Sequence, residues 1–213
     1  MIIFLICSII CYSIGSVPNS YYFGKYFLNT NILNQGTKHS GLSNIYIYLS
    51  YKKILLLLFC EVILKGTIPA YVIYNFYYEY LYSLIFIILG HNWSFFINFK
   101  GGKGLAVSIG IIIGLNFKLF FILLFIFIFF WGLMKFKDSS LPWIISFIFM
   151  PLIYIVDYQF LNLLFYEKDF NLSKIILIIL LILIIRRSLG NRNIDIFNYK
   201  IFLNRLFFDR ESK

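Results

Sequence analysis

Charge is scarce in this chain. Only 13% of its 213 residues are charged and 61% are hydrophobic, whereas soluble domains average about 25% charged and about 45–50% apolar residues. A water-soluble fold of this composition would expose large apolar patches. The composition therefore excludes a water-soluble enzyme, and it also excludes disordered, collagen-like and disulfide-rich chains. It predicts an all-α fold, a polytopic integral membrane helical bundle.

Acidic residues are particularly few. Nine Asp and Glu stand against 19 Lys and Arg, which gives a net charge of +10. Such a surplus indicates nucleic-acid binding in many soluble proteins, but here the basic residues lie at the ends of apolar runs. The positive-inside rule and anionic membrane lipids account for them there. We expect contact with membrane lipids and no nucleic-acid partner, and no obligate protein partner is evident.

Metal-ligating and nucleophilic motifs are also missing. The three cysteines have no His or acid at metal-ligand spacing, and no carboxylate cluster suits Mg²⁺. The two histidines, His39 and His91, are not followed by Asp at the spacing of the His-x4-Asp signature, and no G-x-S-x-G elbow is present. Each histidine is best interpreted as a hydrogen-bonded structural residue. We expect no metal and no cofactor.

What the chain does contain is a series of apolar runs. A membrane-crossing helix needs about 20 mostly apolar residues. The runs cover residues 1–17, 54–74, 81–96, 105–133, 141–156 and 172–185. The run at 105–133 is too long for one crossing and is interrupted near residues 114–118, which predicts two helices joined by a short turn. We expect about six to seven transmembrane helices in one membrane domain over residues 1–213.

Two pairs of residues inside these runs predict close contacts. Glu61 and Lys65 are spaced i, i+4, which places both charges on one helix face where they can pair. Charged residues inside a membrane segment normally face the bundle interior. Gly110 and Gly114 form a GxxxG pair, which we interpret as close helix packing inside the monomer rather than as a dimer signal.

Polar residues are concentrated in loops between the runs. The loops cover residues 29–44, 98–104 and 135–140, a basic tail begins at Arg186, and residues 157–169 form an acidic stretch. By the positive-inside rule, the three polar loops and the tail face the cytoplasm and the acidic stretch faces outward. This orientation predicts a site at the cytoplasmic surface of the cell (inner) membrane.

The loop at residues 98–104, called the glycine–lysine loop below, reads Asn-Phe-Lys-Gly-Gly-Lys-Gly. Glycines let main-chain N–H groups converge on an anion, the lysines supply charge, and the following helix adds its positive N-terminal end. The loop therefore favours phosphate. It is not a nucleotide P-loop, because Ile97 and Gly104 stand where that motif needs a Gly and a hydroxyl residue. The alternative is a tight interfacial turn with snorkelling lysines.

Residues 90–106 read Gly-His-Asn-Trp-Ser-Phe-Phe-Ile-Asn-Phe-Lys-Gly-Gly-Lys-Gly-Leu-Ala. This stretch resembles the central motif of the PlsY family, the bacterial acyl-phosphate:glycerol-3-phosphate acyltransferases. Four further stretches resemble that family in order and spacing. They are Gly-Ser-Val-Pro at 15–18, Glu61 with Lys65, Gly66 and Pro69, Ser-Ser-Leu at 139–141, and Asn193 with Ile194 in the tail. The resemblance covers nearly the whole chain.

Several positions depart from the family pattern. The first loop keeps Gly36, Gly41 and Asn44 of that pattern. The departures are Ser94 for a Pro, Thr37 for a Ser, Lys38 for a Gly, His39 for an Asn, Ile47 for an Arg and Gly190 for a His. The changes at Ile47 and Gly190 remove two polar groups that are important to the family.

The resemblance implies a reaction in which an acyl group moves from acyl phosphate to the 1-hydroxyl of glycerol 3-phosphate. The products are lysophosphatidic acid and inorganic phosphate, in the first acylation step of phospholipid synthesis. Because acyl phosphate is already activated, orientation and charge stabilisation would carry most of the rate. The implied catalytic residues are Lys103, Ser140 and Asn193, and the implied substrate-binding residues are Thr37, His39, Gly41, Asn44, Lys100, Gly101, Gly102, Gly104 and Ser139.

Two other functions stay open at this point. Ile47 and Gly190 suggest a relative that folds but has lost turnover. The second alternative is a small-anion transporter. Against it, the apolar runs hold few polar residues beyond Glu61 and Lys65, and no inverted hydropathy repeat is evident. The sequence also leaves open an acyl carrier protein or coenzyme A thioester as the acyl donor.

Overall fold

The structure, a computed structural model, describes residues 2–36, 38–134, 140–156 and 170–189. Across these ranges the regular structure is helical and contains no strand. The α-helices are α1 (Ile2–Ser16), α2 (Asn19–Leu28), α3 (Leu42–Ile45), α4 (Tyr51–Leu58), α5 (Ile68–Phe76), α6 (Ile85–Asn92), α7 (Leu105–Leu115), α8 (Phe117–Met134), α9 (Ser140–Val156) and α10 (Phe170–Leu189). A π-helix, Phe59–Thr67, joins α4 to α5, and short 3-10 helices lie at Ile32–Asn34, Tyr46–Tyr48, Tyr78–Leu84 and Phe95–Ile97.

Three mainly helical stretches in the described ranges are long and apolar enough to cross a membrane. They are Ile2–Leu28, Tyr51–Phe76 and Tyr78–Ile97, and shorter apolar helices lie at Leu105–Leu115, Phe117–Leu133 and Leu141–Pro151. Large apolar side chains such as Phe125 and Ile9 remain exposed on the outer surface, as expected where lipid replaces water. The predicted all-α membrane bundle is confirmed.

Proline and asparagine mark the breaks between helices. Pro18 separates α1 from α2, because proline cannot continue the hydrogen-bond ladder of a helix. Asn116 adopts extended backbone angles (φ −162°, ψ 116°) between α7 and α8, so the turn predicted near residues 114–118 is confirmed. The acidic stretch at 157–169, most of the junction at 135–140 and the tail from residue 190 lie outside the described residues.

The π-helix carries the two charges predicted to pair. Lys65 Nζ lies 3.0 Å from Glu61 Oε2, and both side chains are almost completely buried. Lys65 also donates a hydrogen bond to the carbonyl of Val17, at the break between α1 and α2. The predicted ion pair is confirmed. The hydrogen bond from Lys65 to Val17 links the π-helix to the first membrane-crossing stretch.

Glycines allow α7 to pack directly on the main chain of the π-helix. A Cβ on Gly66 would stand 2.7 Å from the Val107 carbonyl oxygen and 2.8 Å from the Gly110 Cα. A Cβ on Gly110 would overlap the carbonyl of Val62, and one on Gly114 would overlap that of Thr67. The prediction that Gly110 and Gly114 serve packing inside one chain is confirmed.

The larger core cluster is formed by Cys11 of α1 together with α5 and the later helices, with Ile87, Ile111, Phe147 and Ile175 fully buried within it. Near its start, α10 contacts the beginning of the Tyr78–Ile97 stretch, since Asn171 Nδ2 donates to the Tyr78 hydroxyl at 3.0 Å. The other end of α10 reaches the glycine–lysine loop, as described below. The two helical stretches therefore run side by side in the same direction, which brings the end of α10 to the loop that follows α6.

Candidate anion site at one end of the bundle

The glycine–lysine loop forms a compact turn between α6 and α7. Asn98 and Phe99 both adopt left-handed backbone angles (φ 51° and 60°), and Gly104 does so at φ 81°. Gly104 occupies the N-cap position of α7, so the loop ends where the main-chain N–H groups of that helix begin. An anion at this helix end would be favoured by those N–H groups and by the helix dipole.

The inner side of the loop lies against the end of α6. The N–H of Gly102 donates to the carbonyl of His91 at 3.0 Å. A Cβ on Gly102 would overlap His91 Nε2, and one on Gly101 would stand 2.5 Å from the carbonyl oxygen of Asn92. Glycine is therefore required at both positions by the close approach of the α6 main chain and the imidazole ring.

A buried arginine holds the same two glycines from α10. Arg186 is only 2% exposed. Its Nε donates to the Gly102 carbonyl at 2.9 Å, and its Nη2 donates to the Gly101 carbonyl at 3.0 Å. The guanidinium carbon lies 5.4 Å from the centre of the Trp93 ring, which is within the range of a cation–π contact.

His91 is tied to the buried ion pair of the π-helix. Its Nδ1 lies 3.3 Å from Glu61 Oε2, the same oxygen that contacts Lys65. The interpretation of His91 as a structural residue agrees with this contact, because its imidazole lies between Glu61 and Gly102. The ring thus connects the charged interior of the bundle to the glycine–lysine loop.

The side chain of Asn92 lies behind the N-terminus of α7. It is fully buried, and neither its Oδ1 nor its Nδ2 has a hydrogen-bond partner. A Cβ on Gly104 would stand 2.7 Å from this Oδ1. Asn92 therefore supplies a buried polar side chain next to the loop.

The first polar loop is organised by Asn44. Its Nδ2 donates to the carbonyls of Ile32, Gln35 and His39 at 2.8, 3.1 and 3.0 Å. An amide has two N–H donors, so one hydrogen is shared between two of these oxygens. Asn44 thereby holds the described residues of this loop, 32–36 and 38–39, in place, and Lys38 adopts a left-handed φ of 57°.

The two polar loops lie next to each other. A Cβ on Gly41 would stand 3.8 Å from the Cα of Gly102. Lys100 is exposed and Lys103 is half-buried, whereas His39 and Gly41 are buried. The structure therefore brings together eight of the residues named from the sequence: His39, Gly41, Asn44, Lys100, Gly101, Gly102, Lys103 and Gly104.

The structure does not describe the side chains of the remaining predicted site residues. Thr37, Ser139 and Asn193 lie outside the described residues, and Ser140 is the first residue of α9. Among the residues that are described, no three His, Cys, Asp or Glu side chains form a metal-binding group.

Sequence reasoning missed three contributors to this site, namely Arg186, His91 and Asn92. Arg186 ends an apolar run and was assigned to the basic tail, because a snorkelling arginine and a buried one look the same in sequence. The signal for His91 and Asn92 was their position within the motif that ends in the glycine–lysine loop. The arrangement as a whole offers main-chain N–H groups, a helix N-terminus and half-buried positive charge, which together suit a phosphate group.

A family model described as glycerol-3-phosphate acyltransferase matches residues 5–194. A glycerol-3-phosphate acyltransferase of Fusobacterium nucleatum is 39% identical over 110 residues, which cover 50% of this chain and 56% of that protein. One from Streptococcus pyogenes serotype M1 is 29% identical over 182 residues, 84% of each chain. The match spans little more than half the length of the Fusobacterium relative.

Solved structures share the fold. The crystal structure of PlsY, an integral membrane glycerol 3-phosphate acyltransferase, in its glycerol 3-phosphate form superposes with a TM-score of 0.72 at 23% identity, covering 99% of this chain and 94% of that one. The lysophosphatidic acid form of the same protein gives a TM-score of 0.71 at the same identity and coverage.

Proposed function

This chain belongs to the glycerol-3-phosphate acyltransferase family, and from that premise we propose that it acylates glycerol 3-phosphate with acyl phosphate as donor. The 1-hydroxyl oxygen attacks the acyl carbonyl carbon, an ester bond forms, and the bond from that carbon to the phosphate oxygen breaks. The departing phosphate takes up the hydroxyl proton. The products are lysophosphatidic acid and inorganic phosphate, and no cofactor takes part.

The observation that carries the proposal is the position of the glycine–lysine loop at the N-terminus of α7. Both substrates and both products contain phosphate, and the loop combines main-chain N–H groups with the half-buried Lys103. Charge on the phosphate leaving group rises as the carbon–oxygen bond breaks. A fixed lysine and oriented N–H groups stabilise that charge most effectively in a site with little water.

The neighbouring first loop supports a place for the second substrate. His39, Gly41 and Asn44 lie in a loop that approaches Gly102, so polar groups on it can orient glycerol 3-phosphate beside the donor. Lys100 would neutralise phosphate together with Lys103. From the family resemblance, Thr37, Ser139, Ser140 and Asn193 would add hydrogen bonds to the substrates, and bringing both into register would supply much of the rate.

The same proposal includes the orientation of the protein. At the end of the bundle that holds the two polar loops, the described basic residues are Lys38, Lys100, Lys103, Arg186 and Arg187. Such a concentration of positive charge favours the cytoplasmic side of the membrane. We place the protein as a single membrane domain in the cell (inner) membrane with this end in the cytoplasm. Its partners would be the two substrates and membrane lipids, without nucleic acid or an obligate protein partner.

The test uses purified full-length chain in detergent or a lipid mesophase. Palmitoyl phosphate and glycerol 3-phosphate are supplied, and release of inorganic phosphate and formation of lysophosphatidic acid are followed together. Lys103→Ala should abolish glycerol 3-phosphate-dependent release. Lys118→Ala is the matched control, because Lys118 is exposed near the start of α8, beyond the opposite end of α7, and it should leave the rate unchanged.

The outcomes separate the alternatives. Release of phosphate that requires glycerol 3-phosphate and Lys103 would support the acyltransferase. A well-folded chain that is inactive, assayed beside an active relative with an intact tail motif, would favour a relative that has lost turnover. Lys103-dependent uptake of a radiolabelled anion into vesicles, without ester formation, would favour a transporter.

A further inference from the structure

The main chain of the glycine–lysine loop is held from two opposite sides. On one side, Arg186 donates two hydrogen bonds to the consecutive carbonyls of Gly101 and Gly102. On the other side, the carbonyl of His91 accepts a hydrogen bond from the N–H of Gly102. The described chain contains no cis peptide bond, and in a planar trans peptide the C=O and the following N–H point in opposite directions.

The directions of two successive peptide groups follow from these contacts. The peptide between Gly101 and Gly102 points its C=O at Arg186 and its N–H at His91. The peptide between Gly102 and Lys103 also points its C=O at Arg186, so the N–H of Lys103 points away from the guanidinium. Arg186 thereby fixes the direction of two carbonyl oxygens and of the two N–H groups opposite them, of which that of Gly102 is bound by His91.

Arginine is well suited to holding two adjacent carbonyl groups. A guanidinium is planar and presents several N–H donors in a fixed fork, whereas an ammonium is a point charge on a flexible stem. Two carbonyls of adjacent residues match the fork, and the Trp93 ring restricts the guanidinium plane. Carbonyl oxygens turned toward a phosphate would repel it, so holding both carbonyls on Arg186 keeps them away from an anion at the N-terminus of α7.

We propose that Arg186 is a positioning residue that orients the peptide groups of the glycine–lysine loop for phosphate. The proposal deepens the proposed function and rests on it. Arg186 acts through the loop and not by contact with the reacting atoms. Its loss should weaken the binding of every phosphate-bearing ligand, while the chemical step, once the ligands are in place, is affected less.

The experiment compares Arg186→Lys and Arg186→Ala with wild type in the palmitoyl phosphate assay. Arg186→Lys keeps the positive charge but cannot hold both carbonyls in one plane. We expect KM for both substrates, and the inhibition constant of inorganic phosphate, to rise by about 10- to 100-fold, the loss expected when main-chain N–H groups no longer align with a charged ligand. Lys174→Gln is the control, because Lys174 is an exposed cation near the start of the same helix.

Chemical rescue distinguishes positioning from stability. A protein that is only destabilised loses active molecules while its KM is unchanged. In Arg186→Ala, added ethylguanidinium should restore tight binding of inorganic phosphate, and ethylammonium of the same charge should not. If Arg186→Ala does not fold, Arg186→Lys alone decides the proposal. An unchanged KM and an unchanged phosphate inhibition constant in Arg186→Lys would overturn it.

A direct binding measurement keeps this proposal separate from the proposed function. If wild-type protein shows no acyl transfer, the proposed function fails, and the dissociation constant of inorganic phosphate measured by calorimetry then decides the role of Arg186. Weaker phosphate binding by Arg186→Lys than by wild type and Lys174→Gln would support it. Equal binding by all three proteins, or no binding by wild type, would overturn it.

Discussion

The Nδ1 atom of His91 lies 3.3 Å from Glu61 Oε2, although the two residues are 30 positions apart and both are buried. Glu61 also contacts Lys65, so one carboxylate serves two basic groups inside the bundle. The contact joins the π-helix to the end of α6, against which the glycine–lysine loop packs. Stability of the helical core and the shape of the candidate site therefore depend on the same carboxylate.

Glu61→Gln should be strongly destabilising. The substitution keeps the size of the side chain but leaves Lys65 buried without its anion, and removing one partner of a buried pair costs about 3–5 kcal/mol. Thermal unfolding in detergent, followed by tryptophan fluorescence, measures the effect. The control is Glu79→Gln, because Glu79 is exposed and surface substitutions stay within about 0.5 kcal/mol.

Equal unfolding temperatures for these two variants would contradict the prediction. Replacing both charges, in Glu61→Met with Lys65→Met, should cost less than Glu61→Gln alone. Well-packed apolar residues can replace a buried ion pair with little loss, because neither charge is then left unpaired.

The sequence allowed good prediction of features that depend on local spacing. The Glu61–Lys65 pair follows from i, i+4 spacing, and the break at Asn116 follows from a dip in an apolar run. Contacts between distant segments have no such signal. The sequence did not indicate that Glu61 meets His91, or that Arg186 turns inward to Gly101 and Gly102.

Asn44 illustrates the same limit within the candidate site. Its residue type and motif predicted substrate binding, and that role stays a prediction. In the structure its Nδ2 binds three carbonyls of its own loop. A side-chain amide can bind a substrate or hold its own loop. Only the folded loop shows that the Nδ2 group of Asn44 already donates to main-chain carbonyls.

Asn44→Ala should loosen the first polar loop. The carbonyls of Ile32 and His39 each lose a buried hydrogen bond, and the loss of one such bond costs about 0.5–1.5 kcal/mol. Hydrogen exchange followed by mass spectrometry should show faster exchange over residues 32–44, with no change in α7. Asn75→Ala is the control, because Asn75 is exposed and its amide donates to the carbonyl of Tyr71, one turn earlier in the same helix. Unchanged exchange over residues 32–44 would contradict this account.

Gly110→Ala tests the packing of α7 on the π-helix. The added Cβ would overlap the Val62 carbonyl and stand 3.0 Å from the Gly66 Cα, so the two helices must move apart. Overpacking of this kind costs about 1–3 kcal/mol, and the unfolding temperature should fall. Gly132→Ala in α8 is the matched control, because a Cβ there meets nothing within 4 Å. Similar unfolding temperatures for the two variants would show that the helices are not in this close contact.

Gly102→Ala tests the contact between the glycine–lysine loop and the His91 ring. The new Cβ would overlap His91 Nε2, which displaces the loop, and a shift of about 1 Å is enough to reduce acyl transfer on the order of 100-fold. Gly132→Ala again serves as control and should leave transfer unchanged. The double variant Gly102→Ala with His91→Ala removes the obstructing ring, so its loss should be smaller than the product of the two single losses. A coupling of at least about 0.5 kcal/mol in this double-mutant cycle is the expected result, whereas fully independent effects would show that Gly102 is not constrained by His91.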